Sequence, residues 1–222
     1  MIVDNRRKIS LPDGYEYDRW FIRQSAGPSD IYDADYKKKQ STNALMSYMR
    51  IGWLSHHFSV EEIWRMKIVD VGSGNGEFAR CCVNAGMAVV EYDLSGDSIS
   101  RDELYGTAWD LVVLSDVLEH FDDIDELFRM KWRYCMLSFP ETPDVADFEE
   151  LKTWRHFKPG EHIYHLYRDG VTDWVNSMEA GAEVISCSNV EDLIRTRWDD
   201  SFPNITTMLI HRQSCEQKNG NL

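Results

Sequence analysis

Long apolar runs are missing from this 222-residue chain, and no stretch approaches the roughly 20 residues that a membrane-spanning helix needs. The opening segment, Met1 to Ser10, is polar and charged and has no apolar signal-peptide core, so a cytoplasmic protein is expected. Cysteine is scarce and unpatterned. The five residues Cys81, Cys82, Cys135, Cys187 and Cys215 are odd in number and lack any C-x-x-C spacing, which argues against a disulfide framework or a zinc–thiolate site. Adjacent Cys81 and Cys82 read as core residues of a helix. Basic charge is also short, with 24 Lys and Arg against 38 Asp and Glu giving a net charge of −14. Long nucleic acids are disfavoured as partners, because phosphate contacts need a basic surface. The two local basic runs, Arg6-Arg7-Lys8 and Lys37-Lys38-Lys39, read as solvated surface. Internal repeats and low-complexity tracts are absent.

What is present suits one generous domain with short decorations. Residues 1–41 are rich in aromatics, glycine and aspartate (Tyr15, Tyr17, Trp20, Phe21, Tyr32, Tyr36) and show no clean period, so an irregular cap is expected there. A helix is expected from about Thr42 to Phe58, then a strand over Lys67–Val71, a helix over Glu77–Ala85 stopped by Gly86, and a second strand over Ala88–Tyr92. Trp109-Asp-Leu-Val-Val-Leu-Ser115 has the near-continuous apolar character of a strand buried on both faces. A helix is expected to start at Asp122-Asp-Ile-Asp, where carboxylates suit the positive helix end, and a strand over Tyr134–Phe139 to stop at Pro140. Val171, Trp174, Val175 and Met178 follow the spacing of an amphipathic helix. Glu183–Cys187 and Ile205–His211 read as a closing strand pair, and residues 213–222 as a polar, disordered tail. Strands alternating with helices imply an α/β fold with a mostly parallel sheet.

The most informative segment is Lys67-Ile-Val-Asp-Val-Gly-Ser-Gly-Asn-Gly-Glu-Phe78. A short β-branched strand ends in a loop with glycine at every second position, and helical periodicity follows at once. Strand, glycine loop and helix together let backbone N–H groups and a helix N-terminus approach a nucleotide-like ligand. Asp93 lies 21 positions past Gly72 at the end of the second strand, where a carboxylate can hold both hydroxyls of a ribose. The glycines run G-x-G-x-G rather than the dinucleotide G-x-G-x-x-G, and Asp70 precedes the loop, where it could face a cationic amine.

These residues resemble the class I S-adenosylmethionine-dependent methyltransferases. Asp70-Val-Gly-Ser-Gly-Asn-Gly76 matches the first motif of that family, and Val89-Val-Glu-Tyr-Asp-Leu-Ser95 resembles the second. Trp109 to His120, with Leu137-Ser-Phe-Pro140, resembles strands four and five of the branch that includes the ubiquinone-biosynthesis O-methyltransferases. The resemblance spans about residues 42–211 and implies a Rossmann-like three-layer sandwich of six to seven strands with an antiparallel last strand. It also implies S-adenosylmethionine as cofactor, held by Asp70, Gly72, Ser73, Gly74 and Gly76, by Asp93 at the ribose with Leu94 beside it, and by Ser115 and Asp116 near the sulfonium.

Two departures stand out. Asp93 and Asp110 are only 17 positions apart (110 − 93), too few for two parallel crossovers of about a dozen residues each. Strand three is therefore lost, or its helix is reduced to a turn around Ser95–Asp102, and the usual adenine-reading acid goes with it; Asp97 and Asp102 are the substitutes in sequence. The Pro-Gly-Gly turn that the family places before strand five is also absent, with Lys131-Trp-Arg-Tyr134 in its stead.

Methyl transfer from a sulfonium is an in-line displacement governed by positioning. A hydroxyl acceptor gains from a base of near-neutral pKa, which singles out His120 and His162, with His165 behind them. The acceptor expected is the hydroxyl or amine of a small molecule, sugar or nucleotide, covered by Trp20, Tyr32 and Tyr36 as lid contacts. Two alternatives remain open from sequence. Asp116, Glu119, His120 and His162 resemble the carboxylate–histidine cluster of the divalent-metal-dependent small-RNA 2′-O-methyltransferases, although the leading acid there is Glu and this chain is acidic. A non-catalytic module that kept the fold is the other.

Overall fold

In the computed structural model, residues 8–25, 44–94, 99–178, 181–195 and 204–213 are described. Chain order begins with strands β1 (Tyr15–Asp18) and β2 (Phe21–Gln24), followed by helices α1 (Ala44–His57) and α2 (Val60–Arg65). The core α/β run is β3 (Ile68–Val71), α3 (Glu77–Asn84), β4 (Val89–Tyr92), α4 (Arg101–Gly106) and β5 (Ala108–Ser115). After a 3-10 turn at Leu118–His120 come α5 (Glu126–Arg129), β6 (Lys131–Pro140), α6 (Phe148–Leu151), β7 (Tyr164–His165), α7 (Arg168–Ser177), β8 (Ala182–Ser188), α8 (Asp192–Arg195) and β9 (Ile205–Arg212).

The main sheet has six strands in the order β4-β3-β5-β6-β9-β8. Strands β4, β3, β5 and β6 are parallel, and β9 runs antiparallel to both of its neighbours. Period two assigns the two faces. Val69, Val71, Val112, Leu114, Cys135 and Leu137 join one core with Leu104 of α4, Leu127 of α5 and Trp174 of α7. Ile68, Leu111, Val113 and Met136 join the other with Ile51 and Leu54 of α1, Ile63 of α2 and Phe78, Cys81 and Cys82 of α3. Helices on both faces explain why β3 is buried at all four positions. Successive strands run from β3 to β4 on one side and return to β5 on the other. That makes the gap between β3 and β5 a topological switch point, with its crevice at the carboxyl ends of the strands.

Between β4 and β5 the described residues hold only the six-residue helix α4, so strand three is absent there and β4 is the outer strand of the described sheet. Ser100 caps α4 by accepting from the Glu103 N–H (3.2 Å), and the Trp109 Nε1–H donates to the Leu104 carbonyl (2.9 Å). A short helix thus replaces a full crossover.

Three expectations are corrected. The N-terminal segment is not irregular at residues 15–24: β1 and β2 form a hairpin that continues through β7 into a three-stranded antiparallel sheet. The turn lacks the usual glycine or asparagine, since Arg19 itself takes the left-handed φ of +52°. Alternation within four residues sends Phe21 to the main core and Ile22 to a smaller cluster with Val145, Leu151 and Trp154. The helix expected from Asp122 is confined to Glu126–Arg129, because the Asp123 side chain accepts from the Asp125 N–H (3.0 Å) and competes with helical bonding. Strand β6 starts at Lys131 rather than Tyr134, with Trp132 buried opposite Trp109.

Candidate active site

Parallel strands bring four loops to one edge of the sheet. The first follows β3, where Gly72, Gly74 and Gly76 all have left-handed φ values (+71°, +58° and +70°). Space as well as conformation demands glycine at Gly72, whereas at Gly76 a Cβ would have to displace only the end of the flexible Glu91 side chain and conformation decides. A Cβ on Gly72 would stand 2.4 Å from Val117 Cγ2, and one on Gly76 would stand 2.7 Å from Glu91 Oε1. Backbone bonds fasten the loop to the second strand: the Gly72 N–H donates to the Tyr92 carbonyl (2.7 Å) and the Gly74 N–H to Asp93 Oδ2 (3.0 Å). Ser73 lies between them and accepts from the Gly76 N–H (3.0 Å). Leu94, next to Asp93, is 88% exposed.

Asp70 lies on the face of β3 that looks toward α1 and is 4% exposed. Burial pushes its carboxyl up to about 7, with the nearby Glu91 and Asp93 adding to the rise and Arg50 opposing it. The position selected in sequence as an anion is therefore balanced between its two protonation states near neutral pH, and a cation arriving beside it would favour the charged form.

At the end of β5, Ser115 Oγ is buried with no hydrogen-bond partner among the described residues. Asp116 adopts a left-handed φ of +56°, and its N–H donates to the Ser138 carbonyl (2.9 Å). Its carboxylate accepts from Arg195 Nη1 (3.1 and 2.8 Å) and lies 3.5 Å from Arg50 Nη2. Arg50 in turn donates to both oxygens of Glu191 (2.8 and 2.9 Å), and Arg195 reaches Glu191 at 2.9 Å. Arg50 is 1% and Glu191 0% exposed. Burial alone would push the Asp116 carboxyl up; Arg195 and Arg50 outweigh it and hold the group below the usual carboxylate range. Arg50, Glu191 and Arg195 were not among the sequence candidates. A signal existed for Arg50, which occupies the buried stripe of α1 alongside Met46, Ile51 and Leu54.

The following 3-10 turn carries Glu119 and His120. Glu119 is 1% exposed, and neither carboxylate oxygen has a hydrogen-bond partner. Burial and the neighbouring Asp116 raise its pKa well above the ordinary value. The His120 ring nitrogen Nδ1 is 2.8 Å from the Glu161 carbonyl, which can only accept, so Nδ1 carries the proton. Nε2 then stands 3.9 Å from Glu119 Oε1. His162 is 4% exposed, and its ring meets that of His120 edge-on with centroids 4.8 Å apart. Burial depresses both imidazoles, that of His162 most strongly with help from the His120 charge. The Ile163 N–H donates to the Glu119 carbonyl (2.8 Å), and β7 pairs with β2, so the N-terminal hairpin presses the histidine segment onto the sheet edge.

The expected four-residue cluster is therefore corrected to three. Glu119, His120 and His162 place one ligand atom each within 4.8 Å of one another, whereas Asp116 is turned to the two arginines. His165 lies apart, 1% exposed, stacked on Phe157 with ring centroids 5.1 Å apart, its pKa depressed to about 4 by burial. Trp20 is half-buried against the main core, and Asp102 is exposed on α4. Tyr32, Tyr36 and Asp97 lie outside the described residues.

This architecture is that of nucleotide-cofactor enzymes with an open α/β sheet, and the comparisons narrow it. Magnesium protoporphyrin IX methyltransferase from Synechocystis PCC 6803 with bound S-adenosylhomocysteine is 17% identical, with a TM-score of 0.53, over 77% of this chain and 83% of that one. A SAM-dependent methyltransferase from Aquifex aeolicus is 11% identical, with a TM-score of 0.53, over 82% of this chain and all of that one. A second, from Archaeoglobus fulgidus, is 15% identical, with a TM-score of 0.50, over 82% and 100%. No curated protein sequence matches the chain. Residues 51–186, more than half of the chain, match the family described as Methyltransferase domain, and the chain belongs to that family. It is an S-adenosylmethionine-dependent methyltransferase of Rossmann-like fold. The narrower ubiquinone-type branch is not separated by these comparisons.

Two outcomes follow for the buried charges. Arg50→Met leaves Glu191 with only Arg195 and is expected to cost about 3 kcal/mol in urea unfolding; Arg50→Met with Glu191→Met should recover part of that, and a single variant as stable as wild type would contradict the network. For Asp70, a folded pKa raised to about 7 means the proton is held more tightly in the folded state, so wild-type stability falls as pH rises from about 4 to 7. Asp70→Asn removes that fall. Its advantage over wild type should grow across the window by at most about 1.4 kcal/mol per pH unit and level off above pH 7, as read by urea titrations at fixed pH.

Proposed function

We propose that the enzyme transfers the methyl group to a hydroxyl or amine of a small polar molecule, sugar or nucleotide. One observation carries this reading: the glycine loop with its Asp93 bond and the buried Glu119–His120–His162 group open from the same sheet edge. The loop residues Gly72, Ser73, Gly74 and Gly76 are assigned to the methionine half of the cofactor and Asp93 to the ribose hydroxyls. Exposed Leu94 is assigned to the adenine side, and Asp70 to the cationic amine that would settle its charge. Ser115, with its unpartnered hydroxyl, and Asp116 border the sulfonium in this assignment.

In the transfer, an acceptor lone pair attacks the methyl carbon in line with the departing sulfur. The carbon–sulfur bond breaks, S-adenosylhomocysteine leaves, and the acceptor proton passes to the Glu119–His120–His162 group. The net charge of −14 and the lack of a basic stripe favour a small acceptor over a polyanion. A cytoplasmic setting fits the sequence, and no helix among the described residues is long and apolar enough to cross a membrane.

Calorimetry with S-adenosylhomocysteine is the first test. Wild type should bind, and Asp93→Asn should weaken binding about 10- to 100-fold, or about 1.4–2.7 kcal/mol. Unmeasurable wild-type binding would sink the cofactor assignment. Incubation with methyl-labelled cofactor and separated metabolite and RNA fractions should then label a small molecule; label confined to RNA would overturn the acceptor class.

A further inference from the structure

Two described residues other than glycine hold a left-handed φ: Arg19 at +52° and Asp116 at +56°. Arg19 sits at an exposed hairpin turn, but Asp116 sits at the carboxyl edge of the sheet, between β5 and the turn that bears His120. A residue with a Cβ disfavours this conformation and keeps it only where its surroundings over-determine it. Two sets of bonds do so here. The Asp116 N–H donates to the Ser138 carbonyl of β6 (2.9 Å). From the other side its carboxylate accepts from a single nitrogen of Arg195, Nη1, at 2.8 and 3.1 Å, with Arg50 Nη2 at 3.5 Å. Glu191 stands behind both arginines, accepting from Arg50 Nε and Nη2 (2.8 and 2.9 Å) and from Arg195 Nη1 (2.9 Å). Arg50, Glu191 and Arg195 all lie outside the 51–186 stretch that matches the family, so this clamp comes from the flanks of the matched domain.

We propose that Arg195, backed by Glu191 and Arg50, is a positioning residue for the cofactor: by holding Asp116 left-handed it seats Val117 against Gly72 and keeps the glycine loop in its binding shape. Val117 packs so closely on Gly72 that a Cβ there would stand 2.4 Å from Cγ2. A loop with three left-handed glycines has little conformational preference of its own and needs bracing from outside. The Tyr92 carbonyl and Asp93 brace it on one side through the Gly72 and Gly74 N–H groups; Val117 braces it on the other. Returning Asp116 to an ordinary backbone region would redirect the chain at Val117 and open that contact. Two arginines against two carboxylates sum to zero, so the brace adds no net charge beside a sulfonium cofactor. It also places control of the loop on α8, 79 positions from Asp116 in the chain. This inference rests on the assignment of Gly72–Gly76 to the methionine half of the cofactor. Its signature is specific: glycine takes a left-handed φ unaided, so Asp116→Gly should make Arg195 dispensable.

The test is a double-mutant cycle on the full chain, read by calorimetry with S-adenosylhomocysteine, which lacks the sulfonium charge that the Asp116 carboxylate would meet. Arg195→Met and Arg195→Gln should each weaken binding about 10-fold. Arg195→Lys, which keeps one cationic nitrogen for both carboxylates, should recover most of that loss. In the Asp116→Gly background, Arg195→Met should change affinity less than about 2-fold. A second readout is the nuclear Overhauser contact between the Val117 methyls and the Gly72 α-protons. It should be present in wild type and in Asp116→Gly and lost in Arg195→Met, with circular dichroism confirming that each variant is folded. Equal affinity of wild type and both Arg195 variants overturns the proposal, as does an equal loss in the two backgrounds. Loss of binding in Asp116→Gly alone overturns it too, since the side chain would then act directly. Failure of wild type to bind would instead strike the loop assignment, and the Val117–Gly72 contact would still decide whether the brace exists.

Discussion

The carboxyl edge of the sheet depends on one buried arrangement of charge. Arg50 comes from α1, Asp116 follows β5, and Glu191 and Arg195 come from the segment around α8, and each arginine reaches both carboxylates through hydrogen-bonded ion pairs. Taking such groups out of water costs several kcal/mol per ion, offset only when every partner is in place. The arrangement is therefore better understood as a device for position than as a source of stability. It holds Asp116 in a left-handed conformation that a residue with a side chain rarely takes. That conformation turns Val117 back against Gly72. A single cluster thus sets the distance between the glycine loop and the turn that bears Glu119 and His120.

A second fastening works from the opposite side. The hairpin β1–β2 contributes nothing to the main sheet, yet it pairs with β7 and keeps Ile163 bonded to the Glu119 carbonyl. Tyr15 and Phe157 flank His165 on the outer side of that strand. His162 and His165, three residues apart, so meet opposite fates: one ring faces His120 and the other is sealed among aromatics.

How much of this could be read from residues alone follows from locality. The glycine loop, Asp70 and Asp93 were legible because a strand, a tight loop and a helix follow each other within twelve residues, and each imposes a backbone requirement visible in the residue types. Strand β5 was legible because burial on both faces leaves a continuous apolar run. The shortened connection between β4 and β5 could be counted from the 93–110 spacing. Other features depended on contacts that no local pattern encodes. The hairpin turns at Arg19 without glycine, and its strands are too short for a period to show. Arg50 and Glu191 are 141 positions apart, so neither explains the other until the chain is folded. Asp116 looked like a companion of Glu119 and His120, three and four positions on, but its carboxylate points to Arg195. The acidic run at Asp122–Asp125 resembled a helix start and instead bonds to itself.

With only a short helix between β4 and β5 among the described residues, β4 forms one margin of the described sheet. An outer strand carries a row of backbone groups ready to pair with a neighbouring molecule, and proteins guard such margins with brevity and charge. Strand β4 is four residues long, shows the half-exposed apolar Val90, and carries Glu91 within it and Asp93 just after it. The same two carboxylates that lie against Gly76 and Gly74 therefore also place negative charge along this margin of the described sheet. In a chain with 14 surplus negative charges, the charge along this strand comes from residues already used to hold its loop.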